Sequence, residues 1–185
     1  MLDLSLFLRS ICLATIGVCV FSALASVGAL FYFSGVNMEI FRVSFIGHRQ
    51  VENWREVDNR VDEIVRELLK TKEYVEFYMG RNGEFDESVA SIIKRAQKDL
   101  GKENSSLILV LPYHAKDEEY YEQYYDEIYM PIEKVHYKAA ITKRNEWLVD
   151  NSDLLVAYVN KDFGGAYNTL KYAEKKGVPI INVVR

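Results

Sequence analysis

The sequence predicts a doubly wound α/β domain with a mainly parallel sheet, preceded by an apolar N-terminal segment. Three observations predict it. Short β-rich runs alternate with longer segments whose apolar residues recur at helical spacing, the pattern of βαβ units. Those runs are continuously apolar, as strands are when both sheet faces are covered. Glycines gather where several of the runs end, at the edge where such sheets bind ligands.

Ile40–Ile46 (IFRVSFI) is the first strand, closed by Gly47-His48-Arg49. Trp54–Leu69 follows as a helix, with Val57, Val61, Ile64, Val65, Leu68 and Leu69 on one stripe. Tyr74–Met79 is the second strand and ends at Gly80. A loop over Arg81–Phe85 leads to Asp86, which opens a helix carrying Val89, Ile92, Ile93, Ala96 and Leu100 on one face, with Gly101 at its end. Leu107–Leu111 is a third strand, stopped by Pro112. Residues 116–129 (KDEEYYEQYYDEIY) are acidic and tyrosine-rich, and suggest a short helix or a lid over the sheet end. Lys138–Val149 is helical, Asp153–Val159 a fourth strand, and a helix runs from Gly164-Gly165 to about Lys176. Val178–Val184 is the last strand, after Gly177.

The N-terminal segment differs in kind. Only Asp3 and Arg9 are charged before Glu39, so the net charge of -4 belongs wholly to residues 39–185. Ile11–Phe33 is almost purely apolar and as a helix would be about 34 Å long, enough to cross a hydrocarbon core. Four readings compete. A membrane anchor over 11–33 fits the length, with Phe31, Tyr32 and Phe33 as an aromatic belt. Arg42 and Arg49 beyond it, against Arg9 before it, would leave the following domain cytoplasmic. A mis-assigned start fits equally, because Met38 opens the soluble sequence and Ser34-Gly35-Val36 can be encoded by a purine-rich ribosome-binding sequence. A signal peptide, suggested by Ala23-Leu24-Ala25, and a buried core helix rank below these. Expectation therefore divides the chain into residues 1–38 and one domain over 39–185.

Composition excludes several classes. With 49% hydrophobic residues and only ten glycines and three prolines in 185, the chain is neither disordered nor collagen-like. Its acidity argues against a protein that coats nucleic acid. Both cysteines, Cys12 and Cys19, lie in the apolar segment, so the domain has no disulfide, thiol nucleophile or thiolate zinc site. There is no HExxH, EF-hand, GxGxxG, Walker A or Ser-His-Asp pattern, and no metal or cofactor is expected.

The candidate ligand-binding residues cluster at strand ends. Gly164-Gly165 opens a helix whose first-turn N–H groups and dipole favour a phosphate, with Thr169 adding a hydroxyl, unless the pair only forms a turn. Arg144 and Asn145 lie on the preceding helix, where Arg144 can clamp an anion or ion-pair at the helix edge. Gly47, His48 and Arg49 supply an acid or anion binder, or a polar strand end. Gly80 and Gly83 permit close backbone approach. Asp86 suits a ribose hydroxyl or an N-cap. The tyrosines of 113–129 suit stacking, a lid, surface packing or a contact between copies.

Taken in order, Phe45-Ile46-Gly47-His48-Arg49, Gly83-Glu84-Phe85-Asp86, Arg144-Asn145-Glu146-Trp147, Ser152-Asp153, Gly164-Gly165-Ala166 and Val178-Pro179-Ile180-Ile181-Asn182 resemble the SLOG-type Rossmann-like families. These include small bacterial and prophage proteins of unassigned function. The superfamily also holds the "lonely guy" phosphoribohydrolases and the core of a DNA-processing protein. The resemblance covers 39–185. It implies a sensor-type domain that binds a nucleotide-derived small molecule. The phosphoribohydrolases carry an Arg-Lys on a helix, a strand, then Pro-Gly-Gly-x-Gly-Thr-x-x-Glu. Here Arg144 falls on the Arg and Thr169 on the Thr, while Phe163 replaces the Pro and Asn168 a Gly, with one residue more between the Gly pair and the Thr. Tyr172 stands at the catalytic Glu, and a phenol cannot stabilise an oxocarbenium-like ribosyl centre as a carboxylate does. The resemblance thus implies binding without that hydrolysis and leaves the catalytic residues unassigned. One alternative is an N-glycosidase using Asp86, Glu84 or Glu146 as the acid. The other is a single-stranded DNA module, which the acidic charge opposes. The exposed-looking aromatics suggest self-association.

Overall fold

A computed structural model describes residues 38–101, 103–114, 118–132 and 135–184. The apolar run, its anchor and start-site readings, and residues 115–117 of the tyrosine-rich segment lie outside the described residues. Among the described residues, no helix is long and apolar enough to cross a membrane.

The elements are β1 (Ile40–Gly47), α1 (Trp54–Thr71), β2 (Tyr74–Met79), α2 (Glu84–Leu100), β3 (Ser105–Val110), α3 (Glu118–Tyr124), β4 (Glu127–Tyr129), α4 (Tyr137–Asp150), β5 (Leu154–Tyr158), α5 (Gly165–Lys176) and β6 (Ile180–Asn182). The six strands form one sheet in the order β4-β3-β2-β1-β5-β6, and every neighbouring pair is parallel.

Alternation along each strand builds two cores. Val43 and Phe45 of β1 and Val156 and Tyr158 of β5 face α1 and α2. Ile46, Leu155 and Ala157 face α4 and α5. The α1 stripe of Val57, Val61, Val65, Leu68 and Leu69 fills the first core with Val89, Ile92, Ile93 and Ala96 of α2. On the opposite face, Leu148 and Val149 of α4 meet Leu170 and Ala173 of α5. Ser44 is polar in this interior, and its hydroxyl donates to the Leu148 carbonyl at 3.1 Å.

One expectation is settled and one is corrected. Of the two readings of the tyrosine-rich segment, a short helix or a lid, the described residues 118–129 take the first. They make α3 and a sixth strand, β4, which pairs with β3. Tyr121 and Tyr124 pack against the first core, and Tyr125 is buried within it, because their rings are the apolar part of an otherwise charged segment. The second helix begins at Glu84 rather than Asp86. Gly83 is its N-cap and offers no side-chain bond. Asp86 instead reaches back from the first turn, its Oδ2 accepting from the Asn82 N–H at 2.8 Å.

The strand order reverses between β1 and β5. The chain leaves β1 toward α1 on one face, and leaves β5 toward α5 on the other. Their two exit loops diverge, leaving a crevice at the carboxyl ends of the strands.

Candidate functional site

A cavity of about 540 Å³ lies in that crevice. Gly47, His48, Arg49 and Gln50 form its β1 wall. Asn82 and Asp86 approach from the β2–α2 connection, and Ile141, Arg144 and Asn145 from α4. Lys161, Phe163, Gly164 and Gly165 close it from the β5–α5 loop.

Eight of the predicted residues are thus brought together: Gly47, His48, Arg49, Asp86, Arg144, Asn145, Gly164 and Gly165. Gly80, Gly83 and Thr169 stand behind the wall and support it. A Cβ on Gly80 would lie 1.9 Å from Arg144 Nη1, so the missing side chain makes the seat for the guanidinium. A Cβ on Gly83 would lie 2.7 Å from Arg49 Cα, and there the Glu84 N–H donates to the Arg49 carbonyl at 3.0 Å. Thr169 is buried. Its hydroxyl donates to the Gly165 carbonyl at 2.8 Å and accepts from Asn145 Nδ2 at 3.1 Å, which holds Asn145 in the wall.

The β5–α5 loop ends on Gly164 with φ 95° and ψ 177°, a conformation essentially reserved for glycine. No side chain caps α5 and no acid sits in its first turn, so its leading N–H groups and positive dipole end face the cavity.

Arg144 is only 4% exposed. Its Nη1 makes a long 3.4 Å bond to the Val110 carbonyl, and its Nε has no acceptor. Burial pulls the guanidinium below its ordinary pKa, while the charge of Asp86 and then Tyr113 pull it back up. Burial pushes the Asp86 carboxyl up, opposed by Arg144 and by the Asn82 N–H. His48 is half-buried with Nε2 unpartnered. Burial lowers its pKa, a hydrogen bond with the Lys161 backbone raises it, and the Lys161 charge lowers it again. Among the described residues lining the cavity, Arg49, Arg144 and Lys161 thus outweigh the single carboxylate, Asp86, in a chain of net charge -4. That wall favours an anion. Among the described residues, no group of three or more His, Cys, Asp or Glu could hold a metal ion.

Sequence reasoning missed Gln50, Asn82, Ile141, Lys161 and Phe163 as wall residues. For Lys161 and Phe163 the signal was present: a cation and an aromatic in the loop directly before the glycine pair. Tyr172, at the position of the phosphoribohydrolase acid, lies outside the cavity wall. Its hydroxyl bonds to the Asp150 carboxylate at 3.0 and 3.1 Å, beside the Lys176–Asp150 ion pair.

The structure is similar to DNA processing protein A from Streptococcus pneumoniae, with a TM-score of 0.55 and 16% identity over 76% of this chain and 49% of that one. It is also similar to the DNA processing protein A of Helicobacter pylori, whose single-stranded DNA binding has been described, with a TM-score of 0.52 and 16% identity over 76% of this chain and 63% of that one. The fold is Rossmann-like. It is the fold that the SLOG-type resemblance implies. The chain spans about half to under two thirds of the length of these proteins. No protein-family model matches the sequence, and no curated protein matches it.

Proposed function

We propose that residues 39–185 form a sensor-type domain that binds a nucleotide-derived anion in the crevice between β1 and β5. The observation that carries this reading is Arg144, a buried guanidinium short of acceptors, beside the uncapped N-terminus of α5. A buried cation is costly unless it is paired and fully hydrogen-bonded, and a phosphate supplies both charge and acceptor oxygens. Lys161 adds charge at the rim. His48, beside the Gly164 turn and the Lys161 backbone, and Asp86, beside Arg144, offer hydrogen bonds to sugar hydroxyls.

Thermal-shift measurements with nucleosides, nucleoside monophosphates and ADP-ribose derivatives test it. Phosphorylated compounds are expected to stabilise the chain and the nucleosides far less. Lys161→Ala is expected to weaken the phosphate compounds without unfolding the protein. No stabilisation by any of them at millimolar level would sink the reading.

A second reading has one observation in its favour. Of the three acids considered for N-glycosidic cleavage, only Asp86 lines the cavity. Glu84 accepts from the Val51 N–H and Glu146 pairs with Lys143. A buried carboxyl with a raised pKa is suited to general-acid work. Free base released from nucleoside monophosphates, and lost in Asp86→Ala, would support it. An inert wild-type chain across a broad panel would remove it. The likeness to DNA processing protein A is one of fold, and fold alone does not carry DNA binding. A single-stranded DNA titration independent of salt would set that reading aside.

A further inference from the structure

Phe163 is 70% exposed, the largest exposure among the large hydrophobic residues described. It belongs to neither core cluster. Its neighbours on the N-terminal side are Asn160, Lys161 and Asp162, a polar loop with no need of a phenyl ring. What it does border is the cavity, which Ile141 of α4, itself 37% exposed, also lines. The other aromatic rings of the wall have no such free face. Phe45 is 1% exposed and packs on Phe77, and His48 is half-buried. Phe85, which roofs Gly47, is also 1% exposed and stacks on Tyr158 at 5.8 Å.

Position in the chain adds a constraint. Phe163 directly precedes Gly164, the N-cap of α5, so its Cα lies about 3.8 Å from that of the residue that starts the anion-binding turn. A ligand whose phosphate rests on α5 would bring its next apolar, planar group within reach of the phenyl face. A nucleotide has such a group, its heterocyclic base, and every base offers a π-face to an aromatic ring.

Resting on the nucleotide reading above, we infer that Phe163 is a base-stacking platform, with Ile141 as an apolar part of the same cavity wall. The base then sits at the cavity mouth. The polar interior around His48, Asn82 and Asp86 takes the ribose. Phe163 sets affinity for the base without contributing to the phosphate.

The test uses the full chain, calorimetric titration, and two probes that differ by the base alone: AMP and ribose 5-phosphate. Wild type is expected to bind AMP about tenfold more tightly. Phe163→Ala is expected to bring AMP down to the ribose 5-phosphate level and leave ribose 5-phosphate unchanged. Phe163→Trp is expected to keep or increase the preference. Equal binding of the two probes by wild type would overturn the inference while leaving the phosphate site standing. So would a Phe163→Ala variant that weakens both alike, or neither. Binding of neither probe would remove the nucleotide reading and this inference with it. Sedimentation of Phe163→Ala beside wild type closes the remaining route. A changed oligomeric state with unchanged AMP affinity would make Phe163 a contact between copies, and would overturn the inference.

Discussion

Arg144 depends on residues that its own helix does not supply. Its seat is the absent side chain of Gly80, and the nearest compensating charge is Asp86 from α2. Gly80→Ala places a methyl where Nη1 now lies. The expected outcome is a loss of about 1–3 kcal/mol in urea unfolding, with a larger proportional loss of phosphate affinity, because the guanidinium must move. Full phosphate affinity in a folded Gly80→Ala chain would show that Arg144 is not the anchor. Asp86 yields a pH prediction. Its folded pKa is raised, so between the ordinary carboxylate value of about 3.9 and the raised one, the folded chain keeps a proton the unfolded chain has lost. Its contribution is complete below that interval and is lost as pH rises through it. Asp86→Asn is expected to flatten this part of the stability-versus-pH curve. Identical slopes in the two proteins would contradict the burial argument. His48 runs the other way. Its lowered pKa makes its contribution present above about 6.5 and lost as pH falls through the lowered value, which NMR titration of its ring would report.

At the scale of elements, α5 carries the site. Its last turn holds Lys175 and Lys176, and its first turn has no acid, so charge and dipole agree along its length. The entry angle is fixed by Gly164. Gly164→Ala is expected to cost about 1–3 kcal/mol in denaturant unfolding and to weaken phosphate binding, since a residue with a Cβ leaves that backbone region. An unchanged midpoint and affinity would mean that the turn relaxes freely. The tyrosine-rich segment shows the opposite relation between sequence and element. Its acidic side chains gave no strand pattern, and β4 is only three residues long. It pairs because Asp126 anchors it: the Asp126 N–H donates to the Leu107 carbonyl at 2.9 Å, and its Oδ2 accepts from the Leu107 N–H at 2.9 Å. The last strand behaves similarly. The apolar run predicts a strand over Val178–Val184, yet β6 covers Ile180–Asn182, flanked by bonds from Leu155 N–H to the Pro179 carbonyl and from Val183 N–H to the Ala157 carbonyl.

For the whole molecule, binding to the folded state alone adds stability in proportion to the logarithm of ligand concentration. At a hundred times the dissociation constant this is about 2.7 kcal/mol, which for a chain of this size raises Tm by several degrees. A melting series with a nucleoside monophosphate is expected to follow that logarithm. A Tm independent of concentration would point to non-specific salting. The alternation of strands and helices, the covered sheet and the glycines at its carboxyl edge were legible in the sequence because each is a local property: periodicity, apolar run length and backbone permissiveness. Gly47, His48, Arg49, Asp86, Gly164 and Gly165 meet in one cavity for the same reason, since a parallel sheet delivers all its strand ends to one edge, and Arg144 and Asn145 join them from α4. Local patterns carry no distances between elements. Only the tertiary structure decided that Gly80 and Thr169 serve the wall from behind, that Arg144 is buried without full partners, and that Tyr172 faces Asp150 outside the site. It alone left the ring of Phe163 uncovered. Burial and charge compensation arise from contacts between segments far apart in the chain. Those contacts exist only once the sheet has brought the segments together.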